Sequence, residues 1–277
     1  MKKLLLLAVL CSGLLLAEAQ QIQTPPSSTT QTVKQEFGLS TIELSYSRPN
    51  MKDRKIFGDL VPYNAVWRTG ANAATTLNFG SDVSVGGIKV PAGKYGLLTI
   101  PGEVEWTVII TKQLDVTSPS AYKQDQDVAR IKVKKIDLPF AIESFMIGFD
   151  NVKSSSIELY LMWDKTGVIV PITTDIDSKI MAQIDNAMNK DNKPYFQSAM
   201  YYMESGKDLN KAVEWFDKAI VQNPNGFWIY YQKANCLAKL GKKSEAIAAS
   251  NKSTELAKAA KNDDYVALNT KLQATLK

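Results

Sequence analysis

The sequence predicts an antiparallel, jelly-roll-like β-sandwich followed by an all-α domain of helical hairpins. Three observations carry this. Between Val33 and Ile172 apolar residues recur with a period of two, in short runs at close spacing. After Pro171 the period changes to 3.6. No strand–helix–strand alternation appears, which disfavours nucleotide-binding α/β folds.

The strands come first. Ile42, Leu44 and Tyr46 alternate with Glu43, Ser45 and Ser47, and Trp106, Val108 and Ile110 alternate with Glu105, Thr107 and Ile109. Further strands fit 73–79, 81–85, 94–100, 129–136, 142–149, 156–163 and 168–172. Gly86-Gly87 and Pro101-Gly102 mark turns between them. The spacing then predicts a helix on Ile176, Ile180, Ile184 and Met188, capped by Thr174 or Asp175, and a second on Tyr195, Ala199, Tyr202 and Met203. Leu209, Ala212, Val213, Phe216, Ala219 and Ile220 define a third helix, and Phe227, Tyr230, Tyr231, Ala234, Leu237 and Ala238 repeat its offsets in a fourth. Two more are expected over 243–261 and 264–276, with Gly206, Pro224, Gly226, Gly241 and Asn262-Asp263 in the gaps.

The N-terminus reads as a secretory signal peptide over 1–19: Lys2 and Lys3, an apolar run from Leu4 to Leu16, then Ala17-Glu18-Ala19. That run is too short to span a bilayer. The chain is therefore expected to be exported, periplasmic or extracellular. A Gln-, Thr-, Ser- and Pro-rich leader follows over 20–32, then a sandwich domain over 33–173 and a helical domain over 174–277. Loss of the signal leaves Cys236 alone, inside an apolar helical pattern, so it reads as a buried small hydrophobe.

Composition narrows the chemistry. The chain of 277 residues has no histidine, which excludes Ser-His-Asp and Cys-His catalysis and His-ligated zinc. A net charge of +5 is too mild to imply a nucleic-acid partner. No cofactor motif is present: neither GxGxxG nor GxxxxGK[ST] occurs. Asp125 and Asp127 lack the glycine-bearing loop and distal glutamate of a calcium site, so no metal is expected.

The segment from Tyr46 to Thr75 stands apart. It connects two strands over about 25 residues with no helical or strand period, and such loops are usually functional or disordered. Phe57, Tyr63 and Trp67 argue for order. Candidate ligand-binding residues are Arg48, Lys52, Arg54, Tyr63, Trp67, Arg68 and Asn72, with Lys94 and Tyr95. Guanidinium forks suit carboxylate or phosphate, and the rings offer flat surfaces. Three roles fit these residues. They form an anion or sugar-acid site, or the arginines tie the loop to backbone carbonyls and to Asp53 and Asp59, or the loop is a protein-contact surface.

YSRP at 46–49, KDRKIFGDLVPYNAVWRTGANAAT at 52–75 and VPAGKY at 90–95 resemble the signature of a bacterial domain-of-unknown-function family, number 2911. The likeness spans about 35–172. It implies an exported protein of the kind found mostly in Bacteroidota, often with a helical repeat-like tail; it implies no activity. Related proteins often read Lys-Gly-Arg where this chain has Lys52-Asp53-Arg54, and aspartate tolerates turns. In the tail, Phe196, Ala212, Phe216, Ala219 and Pro224 resemble a tetratricopeptide repeat. The next unit keeps Trp228 but departs at Gly241, Ser250 and Ser253, a degenerate neighbour. Such a tail fits a small domain packing on the sandwich or on a second copy, or a groove for a peptide.

The expectation is an exported, non-enzymatic binding or interaction protein with loop 48–72 as its candidate site. Its ligand is expected to be an anionic small molecule or glycan, or its partner a protein met through the helical tail. One alternative is a hydrolase of polysaccharide or cell-envelope material using Asp and Glu chemistry; it needs two carboxylates facing across a cleft, at most about 9.5 Å apart. The other is a scaffold that assembles, for example as a homodimer, through its helices.

Overall fold

The computed structural model describes residues 24–276, and the predicted signal peptide lies outside them. Two compact units divide between Asp175 and Ile176. The first contains ten strands: β1 (Thr29–Phe37), β2 (Ser40–Arg48), β3 (Thr75–Phe79), β4 (Val83–Val85), β5 (Ile88–Val90), β6 (Gly93–Ile100), β7 (Glu105–Thr111), β8 (Asp127–Lys134), β9 (Ile136–Asp150) and β10 (Ser156–Thr173). They form a six-stranded sheet ordered β1-β2-β3-β6-β7-β8 and a four-stranded sheet ordered β5-β4-β10-β9. All pairings are antiparallel.

Alternation builds the core between the sheets. Ile42, Leu44, Leu77, Leu97, Trp106, Val108 and Ile110 of one sheet share a buried cluster with Phe145, Ile147, Leu159, Leu161, Val168 and Val170 of the other. Tyr46 also bridges them: its hydroxyl donates to Gln31 Oε1 at 2.8 Å and accepts from the Ile147 amide at 3.0 Å. Burial raises its pKa.

Some strands differ from their periodic expectation. The first strand begins at Thr29, so Thr29–Thr32, read as leader, pairs with Ser45–Arg48. It is an edge strand with mostly exposed residues, held by the ladder and by Thr30–Ser47 and Thr32–Ser45 hydroxyl contacts, so no apolar alternation announced it. Runs 156–163 and 168–172 are one strand, because β10 continues through an irregularity at Asp164 (φ 52°). Ile109 is fully buried although it falls on the polar face of β7. It joins Ala74, Leu98 and Val116 in a second cluster, where Val66 and Tyr122 cover the outer face of the six-stranded sheet.

The second unit holds six helices: α1 (Asp177–Met188), α2 (Tyr195–Glu204), α3 (Leu209–Gln222), α4 (Phe227–Lys239), α5 (Lys243–Ala259) and α6 (Asp263–Thr275). The N-cap of α1 falls on Ile176, one residue beyond the expected Asp175. Asp208 caps α3 by accepting from the Asn210 and Lys211 amides. From α2 onward each helix packs on the next, and α2 also meets α4, and α4 meets α6, as stacked hairpins do. Cys236 is fully buried beside the Leu209 carbonyl, and burial pushes its thiol pKa up.

Ser250 and Ser253 have a structural explanation. Both are fully buried, as is Asn269 of α6. Ser250 Oγ donates to Asn269 Oδ1 at 2.8 Å, Asn269 Nδ2 donates to Ser253 Oγ at 2.8 Å, and Ser253 Oγ donates to the Phe227 carbonyl at 2.8 Å. Three helices are thereby tied at one register by polar atoms where a repeat would place carbon.

Candidate functional site

The long loop leaves β2 at Arg48 and reaches β3 at Thr75. It is ordered by its own sequence. Met51 N–H donates to the Glu143 carbonyl at 2.8 Å, and Phe145 N–H donates to the Pro49 carbonyl at 2.9 Å, so the loop's start adds to the β9 edge. Ile56, Phe57 and Val61 are buried against the sandwich core. Trp67 exchanges backbone bonds with Thr99 at 2.7 and 3.0 Å. Its ring stacks on Trp163 (centroids 5.9 Å apart, 16° between planes) and meets Phe57 and Phe145.

Left-handed backbone supplies the sharp turns. Lys52 (φ 50°) and Asp53 (φ 58°) make the first, which explains why glycine suits the position of Asp53. Near the other end, Thr69 adopts φ 58° although it is β-branched. Its Oγ1 bonds the Trp67 carbonyl and Thr99 Oγ1, and its carbonyl accepts from Thr75 Oγ1 at 2.5 Å. Gly70 follows at φ 148°, where a Cβ would stand 2.9 Å from the Ser47 carbonyl oxygen. Strain of this kind costs on the order of 1–3 kcal/mol and gathers where neighbours must be aimed. The residue between Trp67 and Thr69 is Arg68.

Loop 49–72, segment 116–119 and the residues before β1 enclose a cavity of about 510 Å³. Lys52, Arg54 and Arg68 line it, with Asn50, Asn72, Ser27, Ser28 and Ser118 as neutral polar groups. Leu60, Val61, Pro62, Val66, Val116, Trp67 and Trp163 are its large apolar lining residues; Leu60 and Pro62 are exposed, Val66 and Trp67 half-buried, and Val61, Val116 and Trp163 buried behind them. No aspartate or glutamate is among the lining residues.

The cations are held but not saturated. Arg54 Nε donates to the Met51 carbonyl at 2.8 Å and Nη2 to the Asn50 carbonyl at 2.6 Å. Arg68 Nη1 donates to the Thr117 carbonyl at 2.5 Å, linking the two cavity walls, while its buried Nε has no partner. Carbonyls use only part of five donors per guanidinium. Among the described residues, no ion pair involves Lys52, Arg54 or Arg68. The expected ties to backbone carbonyls are present; ties to Asp53 and Asp59 are not among the described contacts.

Five of the nine candidate residues thus share one cavity: Lys52, Arg54, Trp67, Arg68 and Asn72. The other four lie elsewhere. Arg48 donates its Nε to the Phe145 carbonyl at 3.1 Å and lines a smaller recess of about 190 Å³ with Gln31, Gln35 and Tyr160. Tyr63 packs on the core over Gly58. Tyr95 is buried against Phe79 and donates to the Pro91 carbonyl. Lys94 pairs in register with Asn78 on an exposed strand position. Their charge and flat rings suit a ligand, but strand pleat and core packing place them away from this cavity.

Segment 116–119 is the part of the site that residue types did not disclose. The only signal was the turn dipeptide Ser118-Pro119. The wall continues into Tyr122, whose hydroxyl donates to Asp127 Oδ2; Arg130 Nη1 donates to both, at 2.5 and 2.8 Å. That ion pair occupies one of the two aspartates weighed for calcium, and among the described residues no cluster of acidic, Cys or His side chains fits a metal. Burial, then the bond to the Asp127 carboxylate, pushes the Tyr122 phenol up from 10.0 to about 12. A raised folded pKa means that the neutral phenol stabilises the fold fully below pH 10 and that this contribution is lost as pH rises through about 12. Tyr122→Phe is therefore expected to flatten the fall in stability between those values, measured by denaturant unfolding at stepped pH. An unchanged slope contradicts it.

Two family models match the chain. "Protein of unknown function (DUF2911)" covers residues 28–172, from just before β1 to the end of β10. The chain belongs to this family. "Tetratricopeptide repeat" covers 215–248, from within α3 through α4 into α5. No curated protein matches the chain. In this DUF2911 sandwich the most motif-dense stretch builds both the aromatic underpinning at Phe57 and Trp67 and the cationic lining of the cavity. Among the described residues no helix is long and apolar enough to cross a membrane.

Proposed function

We propose that this protein is an exported, non-enzymatic binding module whose sandwich takes an anionic small molecule or glycan in the cavity under loop 48–72. One observation carries the reading: three cationic side chains line a cavity of about 510 Å³ without a single carboxylate among them. Cavities of this size hold drug-sized ligands. Cations gathered at a cleft whose lining has no carboxylate raise the local concentration of anions there, while Lys52 and Arg54 stay exposed to water. Export rests on the basic and apolar pattern of residues 2–19. The hydrolase alternative is disfavoured because the cavity lining offers no pair of carboxylates.

Equilibrium binding of carboxylates, measured by calorimetry at two salt concentrations, tests the reading. The expected result is an affinity that falls with salt and drops about tenfold in Lys52→Gln and in Arg54→Gln, both exposed side chains. Binding unaffected by either change and by salt contradicts it.

The tetratricopeptide match favours a second role for the helical unit, contact with a protein. Phe227, Tyr231 and Tyr265 form a partly exposed aromatic group across α4 and α6 that suits such contact. Light scattering of the whole protein distinguishes a partner of its own kind, which gives a dimer, from a different one, which leaves a monomer.

A further inference from the structure

The cavity's lining says more about its ligand than charge alone. Resting on the anion-binding reading, we infer that the occupant is an organic acid with an apolar body, rather than an inorganic anion or a polyhydroxylated sugar acid. Cations and carbon are both prominent in the lining. Lys52 and Arg54 stand on the turn at one end of the loop, Arg68 near the other. Between them in the chain run Leu60, Pro62, Val66 and Trp67, the apolar lining residues that solvent reaches. An inorganic anion leaves that apolar surface wet, so the cavity would gain little from closing over it.

Several of the neutral polar groups are committed within the protein. Asn72 Nδ2 is spent on the Ser28 carbonyl and Ser47 Oγ, both at 3.3 Å. Asn50 Oδ1 accepts from Ser144 Oγ at 2.7 Å, and Ser118 Oγ is paired with Ser120 Oγ at 3.0 Å. Both indole N–H groups are internally bonded as well, Trp67 to the Gly70 carbonyl and Trp163 to the Glu143 carbonyl. A saccharide here finds fewer neutral partners than it has hydroxyls, and each one left buried and unpaired costs about 1–3 kcal/mol. An acyl or aryl body carries no such cost. Its carboxylate meets donors already aimed: Arg54 is fixed by two carbonyls and keeps free N–H groups, and Lys52 stands beside it.

Leu60 is the residue that separates head from body. It lines the cavity yet is 44% exposed, so its replacement leaves the core intact. The experiment is calorimetric titration of the whole mature protein with 4-phenylbutyrate, 4-phenylbutanol, acetate and glucuronate. The expected result is that 4-phenylbutyrate binds at least tenfold more tightly than the other three. Arg54→Gln should weaken both 4-phenylbutyrate and acetate, whereas Leu60→Ser should weaken 4-phenylbutyrate about threefold and leave acetate unchanged. Acetate or glucuronate binding as tightly as 4-phenylbutyrate overturns the apolar body while leaving an anion site in place. Binding of 4-phenylbutanol equal to that of the acid, or no binding of any anion, overturns both readings together.

Discussion

Trp67→Ala is expected to destabilise the sandwich by about 3 kcal/mol, the lower end of what a buried tryptophan truncation costs. The indole is not fully buried, yet it packs on Phe57, Phe145 and Trp163 and bonds the Gly70 carbonyl, so its loss opens a void and releases the strained turn at Thr69–Gly70 together. For a domain of this size the melting temperature should fall by roughly 10 °C. Arg54→Gln, in the same loop, should change stability by no more than about 0.5 kcal/mol, because the side chain is exposed and its bonds are to carbonyls that water can serve. Thermal unfolding of the two variants beside the parent reads the difference. Equal losses would mean that the arginine is as structural as the tryptophan.

The second large effect belongs to the helical unit. Asn269→Leu removes the group that pairs Ser250 with Ser253 inside three packed helices. It leaves buried hydroxyls with fewer partners, at about 1–3 kcal/mol each. A loss of about 2–3 kcal/mol is expected in denaturant unfolding followed by the helical far-ultraviolet signal. The triple variant Ser250→Ala, Ser253→Ala, Asn269→Leu should recover part of it, since it removes the hydroxyls left short of partners, although the Phe227 carbonyl and the Gln273 amide each lose one bond. If the triple variant is no better than the single one, polar pairing is not what holds α6 in place.

Much of this architecture was legible in the sequence, for reasons that particular residues show. Helices over Leu209–Gln222 and Phe227–Lys239 follow an apolar stripe that buries Ala212, Phe216, Ala219, Ala234 and Leu237. Alternation exposed β2 and β7 in the same way. It failed at β1, where an edge strand needs no apolar face, and at Ile109, whose cover comes from Val66 and Val116 in distant loops.

The site was half legible. A long loop dense in Arg, Lys and Trp marked one wall, and five of its residues do share the cavity. The other wall, 116–119, is an ordinary turn that becomes part of a site because Val116 packs with Leu98 and Ile109 and Arg68 reaches the Thr117 carbonyl across 49 residues of chain. Arg48 shows the converse. It has the right chemistry, but strand pleat sends it to a different recess.

The most direct test compares the melting temperature of the parent with that of the double variant Lys52→Gln, Arg54→Gln, each with and without a saturating organic carboxylate. The predicted result is equal melting temperatures without ligand, a rise of several degrees for the parent when ligand is added, and no rise for the double variant. A double variant that melts well below the parent without ligand, beside a parent that ligand does not stabilise, would show that these cations serve the fold and bind nothing.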